Sequence, residues 1–311
     1  MNKFGVLAIL AAGALLGGNA QAAFSFGSGV SCTACGTGGN SASDNNTQSI
    51  SGTATGTSSP TITVKATGWS NTGGSYAQDV ASGSIQQAYV STWGSSGLGL
   101  KNDDAYSSGS DFDKTEGSSP EHAIDNDGRF DMVMLDFGSS LIQLESVTIG
   151  WSQYGADISV LAFTGVGTPA LSGITDWSSL TTSGWTVVGN YEKSGNGGVS
   201  VNGANIASSY WLIGAYNPVF ASSALETVGN PDSGCTRDSS GICMNGWVNS
   251  GTKWKNYTNN NDYFKLAAVS GSLYAPPPPS SSTGVPEPGS LALAGLALAG
   301  LFGSRRFKRN G

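Results

Sequence analysis

The chain predicts an all-β fold, an antiparallel β-sandwich of jelly-roll type, followed by a short C-terminal transmembrane helix. Three observations carry that expectation. Short runs rich in β-branched and aromatic residues recur between clusters of Gly, Ser, Asn and Asp. Val147, Ile149 and Trp151 alternate with Ser146, Thr148 and Gly150, the period of a strand with one buried face. Helical stretches are few and short, near Ile174–Leu180 and Ala221–Val228.

The N-terminal element is a secretion signal. Lys3 gives a positive start, Phe4 to Gly18 form an apolar run of 15 residues, and Ala20-Gln21-Ala22 places small residues where signal peptidase reads them. Residues 1–22 are therefore expected to be removed, leaving a mature chain from Ala23. Residues 23–59, with Cys32-Thr-Ala-Cys35 followed by mostly Gly, Ser, Thr, Asn and Ala, read as a flexible lead-in.

The β domain is expected over 60–274. Its strands are predicted at Thr61–Ala66, Ile85–Ser91, Phe130–Phe137, Leu144–Trp151, Ile158–Thr164, Trp185–Glu192, Tyr210–Ala215 and Tyr263–Val269. Met132-Val133-Met134-Leu135 is continuously apolar, as for a strand covered on both faces. Residues 275–284 form a Pro/Ser stalk, and 285–311 are a separate tail.

In that tail Pro286-Glu287-Pro288 precedes an apolar stretch from Gly289 to Ser304, and Arg305, Arg306, Lys308 and Arg309 follow. Sixteen helical residues span roughly 24 Å, short of a ~30 Å hydrocarbon core by an amount that snorkelling or thinning accommodates. The basic end marks the cytoplasmic side, so the body lies outside. This arrangement resembles the PEP-CTERM sorting signal. The resemblance implies recognition by exosortase, an enzyme of Gram-negative bacteria that also make exopolysaccharide. It further implies removal of the tail near Pro286-Glu287-Pro288, then release or attachment at the cell surface.

Composition limits the partners. Charged residues are 11% of the chain against a typical ~25%, and without the two ends 9 basic face 20 acidic side chains, a net charge near −11. Such a body does not seek nucleic acid or anionic lipid, although it can attract cations. Eight Trp and ten Tyr, all in the mature body, supply a core and argue against disorder.

Four cysteines in an exported chain imply disulfides. Cys32 and Cys35 are close, as are Cys235 and Cys243, and proximity alone suggests those pairings. A haem reading of the CxxC needs His at 36, where the chain has Gly36. A zinc held by all four is disfavoured by the wide spacing of the second pair.

Ten of the 21 acidic residues lie between Asp103 and Asp136, together with the one histidine, His122. Gly97-Leu98-Gly99, Glu121-His122-Ala123-Ile124-Asp125-Asn126, Ile149-Gly150-Trp151 and Ala156-Asp157-Ile158-Ser159-Val160-Leu161-Ala162 resemble a pattern of exosortase-dependent surface proteins of the PEP-CTERM type. That resemblance covers about 97–163 and implies location and fold more than chemistry.

Three readings of the acidic loop compete: a calcium site, an ion-free turn and catalysis. Asp125, Asp127 and Asp131, with Glu121 or Asp103 nearby, offer the oxygens of a structural calcium site, although Arg129 stands where a calcium loop wants another oxygen. Alternatively Asp125 and Asn126 make an Asx turn that needs no ion, with His122 bonded to a nearby carboxylate.

No catalytic constellation is visible. One histidine rules out a multi-histidine metal centre, no Gly-x-Ser-x-Gly elbow appears, and the Gly-rich runs lack a phosphate loop's Lys-Ser/Thr. Trp247, Trp254 and Tyr257, in a polar stretch, are the candidates for stacking on sugar. The function expected is a sorted surface protein, a structural or adhesive component of the envelope or exopolysaccharide matrix that can bind glycan. A carboxylate-based glycosidase on the same scaffold is the competing class.

Overall fold

In the computed structural model, residues 20–27, 30–33, 47–53, 61–73, 83–102, 122–127, 129–193, 195–221, 246–249, 254–257, 262–274 and 296 are described. Their strands are β1 (Gln21–Ser25), β2 (Ser31–Thr33), β3 (Thr47–Thr53), β4 (Thr61–Gly73), β5 (Ser84–Thr92), β6 (Leu98–Lys101), β7 (Ile124–Asp125) and β8 (Asp131–Asp136). There follow β9 (Ile142–Tyr154), β10 (Ile158–Phe163), β11 (Trp185–Tyr191), β12 (Gly197–Ser200), β13 (Tyr210–Ala215), β14 (Gly246–Asn249), β15 (Trp254–Tyr257) and β16 (Asp262–Leu273). All eight predicted runs are strands, with β4, β9 and β16 longer than expected. The helix expected near Ile174–Leu180 is a 3₁₀ turn, Trp177–Thr182, whose start is capped by Asp176 accepting from Ser179 N at 2.9 Å. The second expected helix lies outside the described residues beyond Ala221.

The antiparallel prediction holds, but the two layers are not separate sheets. One 14-stranded antiparallel sheet runs β11-β10-β13-β8-β4-β5-β6-β16-β9-β12, with β1 and β7 also on β16, β3 on β4, and β2 on β3. β5 makes the corner: Gly68 and Trp69 of β4 pair with its first half, while Lys101 and Leu100 of β6 pair with its second. The sheet thereby rolls into a nearly closed barrel. A strand long enough to bend lets one hydrogen-bonded sheet serve both layers, and sequence periodicity cannot distinguish that from two sheets.

Residues 23–59, expected to be a flexible lead-in, supply β2, β3 and most of β1. Ala22, Phe24 and Phe26 are buried on alternate positions, and Phe24 meets Phe137 edge-on at 5.2 Å. β1 begins within the predicted signal, at Gln21, and a mature chain starting at Ala23 retains both phenylalanines.

The main core fills the rolled sheet, with Val64, Val133, Leu135, Val147, Ile158, Trp211 and Leu266 among its members. A second core lies on the outer face of β8, β10 and β13, where Met132, Leu161 and Leu212 pack beneath Trp177 and Leu180 of the 3₁₀ turn. The apolar run 132–135 is accordingly covered on both faces, as its pattern predicts. Fully burying one such side chain contributes on the order of 2 kcal/mol, so covering both faces nearly doubles what each of these strands adds.

The alternation of β9 breaks at Gly150. Ile149 pairs with Leu266, whereas Trp151 pairs with Lys265, so Gly150 is the extra residue of a bulge. Ile149 belongs to the main core, but Trp151 packs on the other face against Ala123 and Tyr263. The sequence alternation alone would have sent both inward.

Both chain ends of this unit leave at one pole. Gln21 pairs with Ser272, and Leu273 N donates to Ala20 O at 2.8 Å. Lys265 stands eight residues back along β16, roughly 26 Å away at strand rise.

Candidate functional site

At the pole opposite the chain ends, the loop after β7 folds on its own backbone. Asp125 Oδ1 accepts from Asp127 N at 3.1 Å, an Asx turn, and Arg129 N donates to Asp127 O at 2.7 Å. Asn71, deep in β4, holds the far side of the loop. Its Oδ1 accepts from Phe130 N at 2.8 Å and Trp177 Nε1 at 3.3 Å, and its carbonyl accepts from Arg129 Nη1 at 3.1 Å. Asn71, Asp125, Asp127, Arg129 and Asp131 are all buried. Buried polar groups of this kind stay only when hydrogen-bonded, and these bonds tie the loop to β4 and to the 3₁₀ turn.

Asn126 joins three segments. Its Oδ1 accepts from Asp262 N at 2.9 Å, and its Nδ2 donates to Asp262 Oδ2 and to Tyr216 O, each at 3.0 Å. Asp262 Oδ1 in turn accepts from Asp157 N at 2.9 Å, and Asp157 Oδ1 accepts from Lys193 N at 2.6 Å. The start of β10, the start of β16, the end of β13 and the acidic loop are thus tied by one amide and two carboxyls. Burial pushes the Asp157 carboxyl up to about 6, against the Lys193 N–H, and the Glu192 charge adds to the rise. Burial, with the charge of Asp157, raises Asp262 well above the usual carboxylate range. The Tyr216 phenol is raised by burial and by both carboxylates.

Beside this node Lys265 lies among rings. Its Nζ is 4.1 Å from the centroid of Trp151, 5.1 Å from that of Trp93 and 3.4 Å from His122 Nδ1. The Lys265 side chain is 3% exposed, and burial lowers its amine to about 8 against the opposing pull of Asp125.

Comparison with known proteins bears on the tail. The PEP-CTERM protein-sorting motif matches residues 284–306. The chain ends in a PEP-CTERM sorting signal. No curated protein and no solved structure matches the chain. The motif implies processing by exosortase, export, and a surface or extracellular location. Pro286, Glu287, Pro288, Arg305 and Arg306 of the sorting signal lie outside the described residues. Of the expected transmembrane helix Leu296 alone is described, and it is helical. Among the described residues no helix is long and apolar enough to cross a membrane.

The three acidic loop residues singled out from sequence sit near one another in the fold, but each is engaged. Asp125 accepts from Asp127 N, Asp127 Oδ2 accepts from Tyr263 Oη at 2.8 Å, and Asp131 Oδ1 accepts from Asn102 Nδ2 at 3.4 Å. Among the described residues no three His, Cys, Asp or Glu side chains are grouped to hold a metal ion. Asp103, Glu121 and Gly128 lie outside the described residues. His122 meets the Lys265 amine and the Trp93 ring, contacts that were not anticipated.

Trp247 pairs with Asn256 and Trp254 with Asn249 in the two-stranded β14–β15 ribbon, which also holds Tyr257, and their side chains lie outside the described residues. So do Cys35, Cys235, Cys243 and the Cys32 side chain; the Cys32 backbone is in β2 opposite Gln48. Sequence reasoning passed over Asn126 as a clamp, Asp157, Asp262, Lys265 and Trp93. Asp157 and Asp262 are 105 residues apart, and no local spacing announces such a pair.

Proposed function

We propose that this protein is a non-enzymatic, exosortase-sorted component of the envelope or exopolysaccharide matrix, with the β body acting outside the cell as a structural or adhesive element. The observation that carries the reading is the sorting motif at 284–306, which gives the chain an outward address. The rolled sheet, closed by strands from both ends of the body, suits a module that must persist outside the cell. Mass spectrometry of surface material tests the sorting step. Peptides should stop near residue 288, and intact tails reaching Gly311 would refute processing.

An enzymatic reading has one observation in its favour, the Asp157 carboxyl held near 6 beside Asp262, a range suited to general acid–base work. Both carboxyls, however, spend oxygens on backbone N–H groups of their own fold. The non-enzymatic reading therefore fits better. Reducing ends released from polysaccharide, and lost in Asp157→Asn, would reverse that preference.

A further inference from the structure

Three aromatic side chains, Trp93, His122 and Trp151, gather around Lys265 at the pole away from the chain ends, and all three rings are half-buried. Trp93 and His122 have centroids 4.9 Å apart with planes tilted by 54°. We propose that this patch is a polysaccharide-binding site on which neutral pyranose units stack against Trp93 and Trp151, with Lys265 as the positioning residue that holds the rings. The proposal rests on the reading of the protein as a matrix component and names the surface that would make the contact.

The β9 bulge is the first support. Without the extra residue at Gly150, Trp151 would follow Ile149 into the main core, where an indole contributes most to stability. The bulge instead turns it outward, onto a minor cluster that among the described residues holds Ala123 and Tyr263 besides. Bulges that re-aim a side chain are features of sites more than of cores.

Lys265 is the second support. Burying an ammonium is costly, and here it lies 4.1 and 5.1 Å from two indole centroids, where attraction to both ring faces fixes their planes. Two indoles fixed in this way lose little freedom when a flat ligand settles on them.

Charge selects the ligand class. The charge of Asp125 acts on the ammonium, and without its two ends the chain carries a net charge near −11, so an acidic polymer is repelled while a neutral sugar is not. A pyranose presents a flat C–H face to an aromatic ring and hydroxyls to its rim. Position agrees with use, because a tether at either chain end leaves from a pole about 26 Å distant at strand rise.

Affinity electrophoresis of the exported protein, in gels holding dextran, xylan or polygalacturonate, tests this. Retardation is expected in at least one neutral polymer and not in polygalacturonate. Trp93→Ala and Trp151→Ala should each weaken it by roughly tenfold or more, the effect of truncating an aromatic anchor. Lys265→Met should weaken binding and alter the near-UV circular dichroism of the tryptophans at unchanged far-UV signal. Should Trp151→Ala unfold, Trp93→Ala keeps the test readable.

Retardation that survives both ring variants would overturn this site and leave polysaccharide binding standing elsewhere. Absence of retardation in every neutral polymer, or retardation in polygalacturonate alone, would overturn the proposal. Sorting is read separately by the surface peptides, so either failure leaves the surface assignment intact.

Discussion

Replacing Asp157 with Asn should stabilise the protein at neutral pH and not in acid. The folded carboxyl is raised from 3.8 to about 6, because burial outweighs the Lys193 N–H that favours its charge. For a raised acid, the stabilising contribution is complete below the unfolded value and disappears as pH climbs through the folded one. At about 1.36 kcal/mol per unit, ionising Asp157 costs the fold roughly 3 kcal/mol between pH 4 and pH 7. Asparagine keeps an oxygen for the Lys193 N–H but carries no charge to desolvate. For a domain of this size about 3 kcal/mol corresponds to roughly 6–12 °C in Tm, and the new amide's own donors make that an upper limit. Thermal unfolding of parent and Asp157→Asn at pH 4, 5.5 and 7.5 measures the difference. The gap between them should open with rising pH. A variant that is less stable at every pH, or a gap independent of pH, would refute the reasoning.

Asp262→Asn should behave oppositely despite its similar burial. Its two oxygens accept from different donors, Asp157 N and Asn126 Nδ2, so either amide orientation sets donor against donor and costs roughly 1–3 kcal/mol in urea unfolding at pH 7. Asn126→Ala removes three hydrogen bonds and strands Asp262 N, Asp262 Oδ2 and Tyr216 O, so a loss of about 3 kcal/mol or more is expected from the same measurement. Chelator should leave Tm unchanged, since one oxygen of each loop carboxylate already accepts from a protein donor. A rise with added Ca²⁺ that vanishes in Asp125→Ala would assign the loop an ion instead.

The strands were legible where side-chain chemistry acts locally. Tyr210–Ala215 was bounded to the residue, and the unbroken apolar run at 132–135 announced a strand with two dry faces. β1 to β3 were hidden because Gly, Ser, Thr and Asn dominate their surroundings, and only the alternate burial of Ala22, Phe24 and Phe26 shows why they order. The acidic loop was visible as a density of carboxylates, and the Asx turn at Asp125 follows from its residues alone. What the carboxylates bond to was not visible: Tyr263 reaches Asp127 from 136 positions away.

By itself the sequence determined the all-β character, the antiparallel pairing and the outward address written in its final residues. Each of these depends on short-range pattern: period-two hydrophobicity, turn chemistry, and a motif contiguous along the chain. The tertiary structure alone decided that one bent sheet makes both layers, that Gly150 turns Trp151 away from the core, and that Asn126 binds Asp262. Those outcomes depend on which distant segments share a hydrogen-bond register, and register is settled only when the whole sheet closes.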